Sequence, residues 1–401
     1  MQPVAVEKVR MPLPVSVLPP LYPFFDYDIT AVESREMQLL MACCKRMVGT
    51  LDESGIEALS KMEFDESVFL GLCRLHRLTQ VVRKVLIPSY GDRLPRYMVN
   101  QIENDCQIHV KNHLLLSKWV LEIHKAFQAS RLRHLFLKGP VLNEQLHGGE
   151  LIRYSSDLDL LIEASSIFEA DTVLRNLGYE SVNGFRLSSP LMQLRYKDIS
   201  YRKPGFIPTV EMHWKTDKVE TILIPSLFEW ESQTTGLRFQ QESVPILSDY
   251  HNCLYLCLHA SKHHWSRMGW LLDIPLLIKR RGLDRNTLLN LAVRHGLQKS
   301  VLEAFFWSKK VLNLDFGYAE LDPSRKNALW TMRRLHLNNN PKKTKVDTLE
   351  LTYRRGLLYP GARNKAVFWI LWGLELSIIR FRQAKARIRS LLPRLPHRQA
   401  P

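Results

Sequence analysis

From about Ile29 to Ser130, hydrophobic residues recur every three or four positions, most continuously in RYMVNQIENDCQIHVKNHLLLSKWVLEIHKAF (residues 96–127). That period lines one stripe of a helix, so this stretch reads as an N-terminal helical region. The pattern then shortens. HLFLKG (His134 to Gly139) is a brief apolar run closed by glycine, and PVLNEQLHG opens with Pro140 at a favourable first helical position. DLDLLIE (157–163) reads as a second strand. SSIFEADTVLRNLGY follows as a helix, with Ser165 or Ser166 as N-cap and Gly178 as its stop. In TVEMHWK (Thr209 to Lys215), Val210, Met212 and Trp214 alternate with Glu211 and His213, the period of a strand. A hairpin is expected around Thr234 to Pro245. The helical period then returns in DYHNCLYLCLHASKHHW, WLLDIPLLIKRRG, TLLNLAVRHG and SVLEAFFWSKKVLNL. No internal repeat at a solenoid-like period is present.

These changes divide the chain into six stretches: a Pro-rich arm (1–28), a helical region (29–130), a strand-bearing core (131–247), a second helical region (248–335), a polar linker (336–363), and an aromatic and basic C-terminal helix and tail (364–401). The arm lacks the charged start and unbroken apolar core of a secretory signal, and its prolines prevent an early helix. The longest apolar stretch, Ala366 to Ile379, contains Glu375 and falls short of the roughly 20 residues needed to span a bilayer, so no transmembrane helix is expected.

With 45% hydrophobic and 9% aromatic residues, the 401-residue chain can bury a sizeable core, which excludes a mainly disordered protein. Lys and Arg number 56 against 40 Asp and Glu, and the net charge of +16 favours anionic partners without choosing among them. None of the six cysteines forms a CxxC pair. All sit among apolar residues, as buried thiols of a reducing cytoplasm would. Cys253, Cys257 and His259 could form a metal set, but helical cysteine is more often core.

The DLDLLIE strand poses a chemical question. Residues i and i+2 of a strand share a face, so Asp157 and Asp159 project together while Leu158 enters the core. Adjacent carboxylates repel, and a divalent cation between them keeps both ionised; hard oxygen ligands favour Mg²⁺ or Mn²⁺. Glu211 is placed to add a third carboxylate, completing a two-metal site of the kind that activates a hydroxyl and stabilises leaving pyrophosphate. In the LKGP turn, Gly139 permits close backbone approach to a phosphate, the helix after it opens with free N–H groups, and Lys138 brings positive charge. Together these parts describe nucleotidyl transfer.

In their order, LKGP, DLDLLI, VEMHW and LHASKHHWSRMGWLLDI resemble the uncharacterised bacterial nucleotidyltransferases of the DNA polymerase β-like superfamily, over roughly Leu135 to Ile278. The resemblance implies an α+β fold with a small mixed sheet flanked by helices, and metal-binding roles for Asp157, Asp159 and Glu211. It also implies that His259, Lys262, His263, Trp265 and Asp273 form a characteristic helical motif. Two departures stand out: Pro140 follows the glycine where a small residue with an N–H is usual, and the gap from Gly139 to Asp157 is longer than in compact members.

Blander roles are weighed beside these. A DxD pair alone is often a solvated cap. His213 shares a face with Glu211 and either orients a carboxylate, contacts the substrate phosphates or is structural. His259 and His263 lie one helical turn apart without an HExxH glutamate, which favours phosphate or base contacts, or helix packing, over zinc. Lys262 is a triphosphate contact or a solvated lysine. The C-terminal helix docks on the core, or its basic tail meets anionic membrane or nucleic acid.

The expectation is therefore a cytoplasmic, metal-dependent enzyme moving a nucleoside monophosphate from an NTP to a hydroxyl or phosphate of a polysaccharide precursor, peptide, protein or RNA. Peripheral membrane contact is expected through the tail only. The alternative is a catalytically weak nucleotide- or nucleic-acid-binding module on the same fold, with Pro140 as its best support.

Overall fold

A computed structural model describes residues 34–61, 63–182, 196–215, 234–263 and 265–317. The Pro-rich arm, the polar linker and the C-terminal helix and tail, with the membrane contact expected of that tail, lie outside the described residues.

Five helices come first: α1 (Arg35–Val48), α2 (Glu53–Ser60), α3 (Glu66–His76), α4 (Thr79–Tyr90) and α5 (Arg96–Ala129). Local chemistry sets several ends. Ser34 accepts a hydrogen bond from the Met37 amide at the start of α1, Gly49 closes it in the left-handed conformation, and Asp65 caps α3 through the Val68 amide. The long amphipathic run forms one uninterrupted helix of 34 residues, α5.

Next come β1 (His134–Phe136), α6 (Pro140–His147), β2 (Asp157–Ile162), α7 (Ile167–Asn176), β3 (Glu180–Ser181), β4 (Asp198–Arg202), β5 (Thr209–His213), β6 (Thr234–Phe239) and β7 (Glu242–Leu247). Helices α8 (Asp249–Lys262), α9 (Met268–Arg281), α10 (Arg285–Arg294) and α11 (Gln298–Leu312) complete the described chain. Within the described residues, the expected strands and helices are present. Ser166 takes the N-cap position of α7 without a side-chain hydrogen bond, and β5 stops at His213, short of Lys215. Strands β3 and β4 were not expected.

The fold is α+β. The seven strands form one mixed sheet in the order β3-β4-β5-β2-β1-β7-β6, with β2 parallel to β5, β1 parallel to β7, and the other neighbours antiparallel. Strict alternation gives the sheet two different faces. On one, Leu158, Leu160, Val210 and Met212 are wholly buried beneath Trp119, Val120, Ile123 and Phe127 of α5 and Ile167, Ala170 and Leu174 of α7. On the other, Leu135, Leu161 and Leu247 join a continuous apolar cluster with α1, α3, α4, α6 and α8 to α11. The N-terminal helices and those after the sheet thus share one core, and at roughly 1.5–3 kcal/mol per fully buried large apolar side chain that core is a principal stabilising element.

All six cysteines are buried free thiols. Burial raises the Cys44 and Cys106 thiols to about 12, so both are protonated at neutral pH. Among the described residues, no helix is long and apolar enough to cross a membrane.

Candidate active site

The polar patch of the sheet lies on the face opposite α5 and α7. Parallel pairing of β2 with β5 sets Asp159 directly against Glu211, Leu161 against His213 and Asp157 against Thr209. Antiparallel pairing of β5 with β4 adds Ser200 opposite Glu211 and Asp198 opposite His213. Because paired residues share a face, Asp159, Glu211, His213 and Asp198 form one patch.

Asp159 is 1% exposed. Its Oδ1 lies 3.1 Å from Lys138 Nζ and 3.2 Å from His213 Nε2, while Oδ2 is buried with no hydrogen-bond partner among the described residues. His213 Nε2 is also 3.4 Å from Glu211 Oε2, and its Nδ1 is 3.4 Å from Asp198 Oδ2. One imidazole therefore spans three carboxylates. Ligand atoms of Asp159, Glu211 and His213 all lie within 4.8 Å of one another. A buried carboxylate oxygen without a partner is costly, and oxygen and nitrogen donors converging beside it fit a divalent cation.

The electrostatics separate the two aspartates of the DxD pair. Burial alone would raise Asp159, yet the Lys138 ammonium and the His213 hydrogen bond hold its carboxyl well below the usual range. Asp157 is raised instead, first by burial and then by the charge of Asp159. Burial and the Lys197 ammonium push His213 down, but its hydrogen bonds to Asp159 and Glu211, with the charge of Asp159, leave it raised on balance. Asp198 is held low by the charges of His213 and Lys197 against the opposing pull of burial. Sequence reading missed Asp198 and Lys197. Their signal was present in DISYR, where Ile199 and Tyr201 alternate inward.

Backbone geometry makes the glycine of the LKGP turn necessary. Leu137 donates its amide to the Asp159 carbonyl at 3.0 Å, carrying the β1–β2 ladder up to the turn. Gly139 then has φ 75°, and a β-carbon there would meet the Asp157 carbonyl oxygen at 3.2 Å. The glycine thus lets the turn press against the DxD strand. Pro140 opens α6 as expected.

The helical motif divides. His259 on α8 faces Lys138, which lies 3.4 Å from its Nδ1; burial and then the charge of Lys138 hold the His259 ring neutral. The His263 ring packs 4.7 Å from that of His259 and 5.0 Å from Trp270. Lys262 lies at the end of α8, half-buried. Trp265 and Asp273 serve the scaffold: the Trp265 indole donates to Glu303 at 3.1 Å, and buried Asp273 pairs with Arg153 at 2.9 Å.

A family model described as uncharacterised nucleotidyltransferase matches residues 62–313, well over half of the chain. The chain matches none of the curated proteins. Among solved structures it is similar to the antibiotic-resistance factor ANT(2'')-Ia, at 12% identity and a TM-score of 0.35, over 47% of this chain and 96% of the other. It is also similar to an antigenic nucleotidyltransferase-like protein from Paracoccidioides brasiliensis, at 14% identity and 0.31, over 51% of this chain and 92% of the other. Likenesses this distant do not bear on substrate or mechanism.

Proposed function

This chain belongs to the uncharacterised nucleotidyltransferase family, and we propose that it transfers a nucleoside monophosphate from an NTP to an acceptor hydroxyl or phosphate, releasing pyrophosphate. The observation that carries this is the acidic cluster, in which Asp159 Oδ2 has no hydrogen-bond partner among the described residues and ligand atoms of Asp159, Glu211 and His213 lie within 4.8 Å of one another. Asp157, Asp159 and Glu211 would hold Mg²⁺ or Mn²⁺. Such ions, when bound, lower the pKa of an attacking hydroxyl and neutralise charge on the leaving pyrophosphate.

The protein's own groups have definable tasks. His213, between Asp159, Glu211 and Asp198, fixes the carboxylate orientations and lies in reach of a bound phosphate. Lys138, which compensates the Asp159 charge, would contact the phosphates together with the Gly139 turn beside it. Lys262 and His263, at the end of α8, extend the phosphate-contacting side. Residues 131–247 would act as the transferase core, and the helices described within 29–130 and 248–335 would wall the site. The acceptor is a polysaccharide precursor, peptide, protein or RNA.

The test incubates purified protein with each α-³²P-labelled NTP, Mg²⁺ or Mn²⁺ and a lysate of its host, comparing wild type with Asp159→Asn. Label transferred by wild type alone is expected, and the labelled species identifies the acceptor. The Lys138–Asp159 pair also supports a second reading, a catalytically weak nucleotide-binding module in which the ammonium permanently replaces a cation. On that reading Asp159→Asn binds NTP as well as wild type, and neither protein transfers label.

A further inference from the structure

Beside the acidic cluster runs a cleft between the α3–α4 junction, the loop before β2 and the start of α9. It contains about 390 Å³ of empty space including its open mouth, of which only about 20 Å³ admits the centre of a water molecule. Such a slot leaves no room for an inserted base. Three of its lining residues are arginines, and their circumstances differ. Arg153 is neutralised by Asp273 at 2.9 Å. Neither Arg77 nor Arg267 has a carboxylate within ion-pair distance among the described residues.

Arg77 is one of five described non-glycine residues with a positive φ. It caps α3 in the left-handed conformation, φ 58° and ψ 39°, which glycine adopts freely and a residue with a β-carbon only under strain. The Arg77 guanidinium donates to Ser156 Oγ at 3.0 Å, immediately before Asp157, and lies 5.8 Å from the Tyr154 ring centroid. Arg267 immediately precedes α9 and stacks over Trp270 at 5.0 Å. Burial, then the charge of Arg77, lowers the Arg267 guanidinium to about 10 against the opposing charge of Asp157, so all three groups act on one small region.

The LKGP turn is correspondingly poor in free positive charge and donors: Lys138 is engaged by Asp159 and His259, and Pro140 has no N–H to offer. We propose that Arg77 and Arg267 form a two-guanidinium clamp for the polyphosphate of the NTP, beside the Ser156–Asp157 start of the DxD strand. The planar forks suit bidentate contact with phosphate oxygens, and their position beside Asp157 places them along phosphates held at the acidic cluster. The clamp deepens the nucleotidyl-transfer reading and rests on it.

The test is titration calorimetry of the full chain with each NTP in Mg²⁺ and, separately, with inorganic tripolyphosphate, using wild type, Arg77→Gly, Arg267→Gln and Arg267→Lys. Arg77→Gly is expected to melt at or above the wild-type temperature, because glycine relieves the backbone strain, yet to bind both ligands about tenfold or more weakly, the effect of losing a charge-assisted contact. Arg267→Gln should lose a similar factor, and Arg267→Lys should recover only part of it. Affinities unchanged in both Arg77→Gly and Arg267→Gln overturn the clamp while leaving nucleotidyl transfer standing. Loss of tripolyphosphate binding with NTP binding intact overturns the assignment to the NTP. A wild type that binds tripolyphosphate through these arginines but binds no NTP keeps the anion clamp and removes nucleotidyl transfer; one that binds neither ligand overturns both.

Discussion

The two faces of β2 and β5 are built from alternate residues of the same ten or so positions, yet they do opposite work. Leu158, Leu160, Val210 and Met212 lie at 0% exposure beneath α5 and α7, each surrounded by apolar groups. One residue along, Asp159, Glu211 and His213 share a cluster in which a buried carboxylate oxygen has no hydrogen-bond partner among the described residues. The apolar face stabilises, and it holds the strands rigid enough for the other face to keep charged groups out of water. A site of this kind costs stability locally, and the cost is met by packing on the opposite side of the same strand.

The comparison can be broken from either side. Asp159→Asn should have the largest effect, a loss of at least about a thousandfold in nucleotidyl transfer, the scale of removing a principal electrostatic contact to the transition state. Far-UV circular dichroism should show the fold retained, which separates chemistry from folding. Leu160→Ala, on the apolar face of the same strand, should do the reverse. Truncating a fully buried leucine costs about 2–5 kcal/mol, so its urea midpoint falls steeply while transfer by the folded fraction stays near wild type.

Acid should attack the apolar side next. His134 on β1 is held down to about 4 by burial, helped by the charge of His124, and its ring nitrogens lie 2.9 Å from the Leu132 carbonyl oxygen and 2.9 Å from His124 Nδ1. Its folded pKa is below the ordinary 6.5, so the unfolded chain binds more protons between those values and stability falls as pH drops from 6.5 towards 4. That amounts to roughly 2 kcal/mol between pH 6.5 and pH 5 from this residue. His109, held to about 4, acts in the same direction. Melting curves at pH 7.5 and pH 5.0 check it, and His134→Gln should narrow the difference between them. The smallest effect is expected for His213→Gln, which keeps a polar side chain but loses the imidazole spanning three carboxylates. Transfer should fall about 10- to 100-fold, with a raised Mn²⁺ or Mg²⁺ requirement in a metal titration.

Much of this was legible before folding. The period-two alternation of DLDLLI and TVEMH identified both strands and the face of each acidic residue, and LKGP announced a glycine turn leading into a helix. Strand β4 was missed although DISYR alternates over five residues, as TVEMH does, because only Ile199 and Tyr201 mark its apolar face and no glycine turn leads into it. The helical motif was visible as a cluster, but its division was not: His259 meets Lys138, whereas Trp265 and Asp273 tie the helices to Glu303 and Arg153. One-dimensional spacing cannot tell a residue aimed at the site from one aimed at a neighbouring helix.

The sequence by itself determined the elements other than β3 and β4, the sidedness of the carboxylates and the membership of the family, because local periodicity and turn chemistry are properties of neighbouring residues. Only the tertiary structure decided that β5 lies parallel beside β2 and matches Glu211 to Asp159, that Lys138 pairs with Asp159, and that Arg77 and Arg267, distant in sequence, line one cleft. Register, burial and the pairing of charges depend on which distant segments pack together, and that is settled by the shared core of the whole chain.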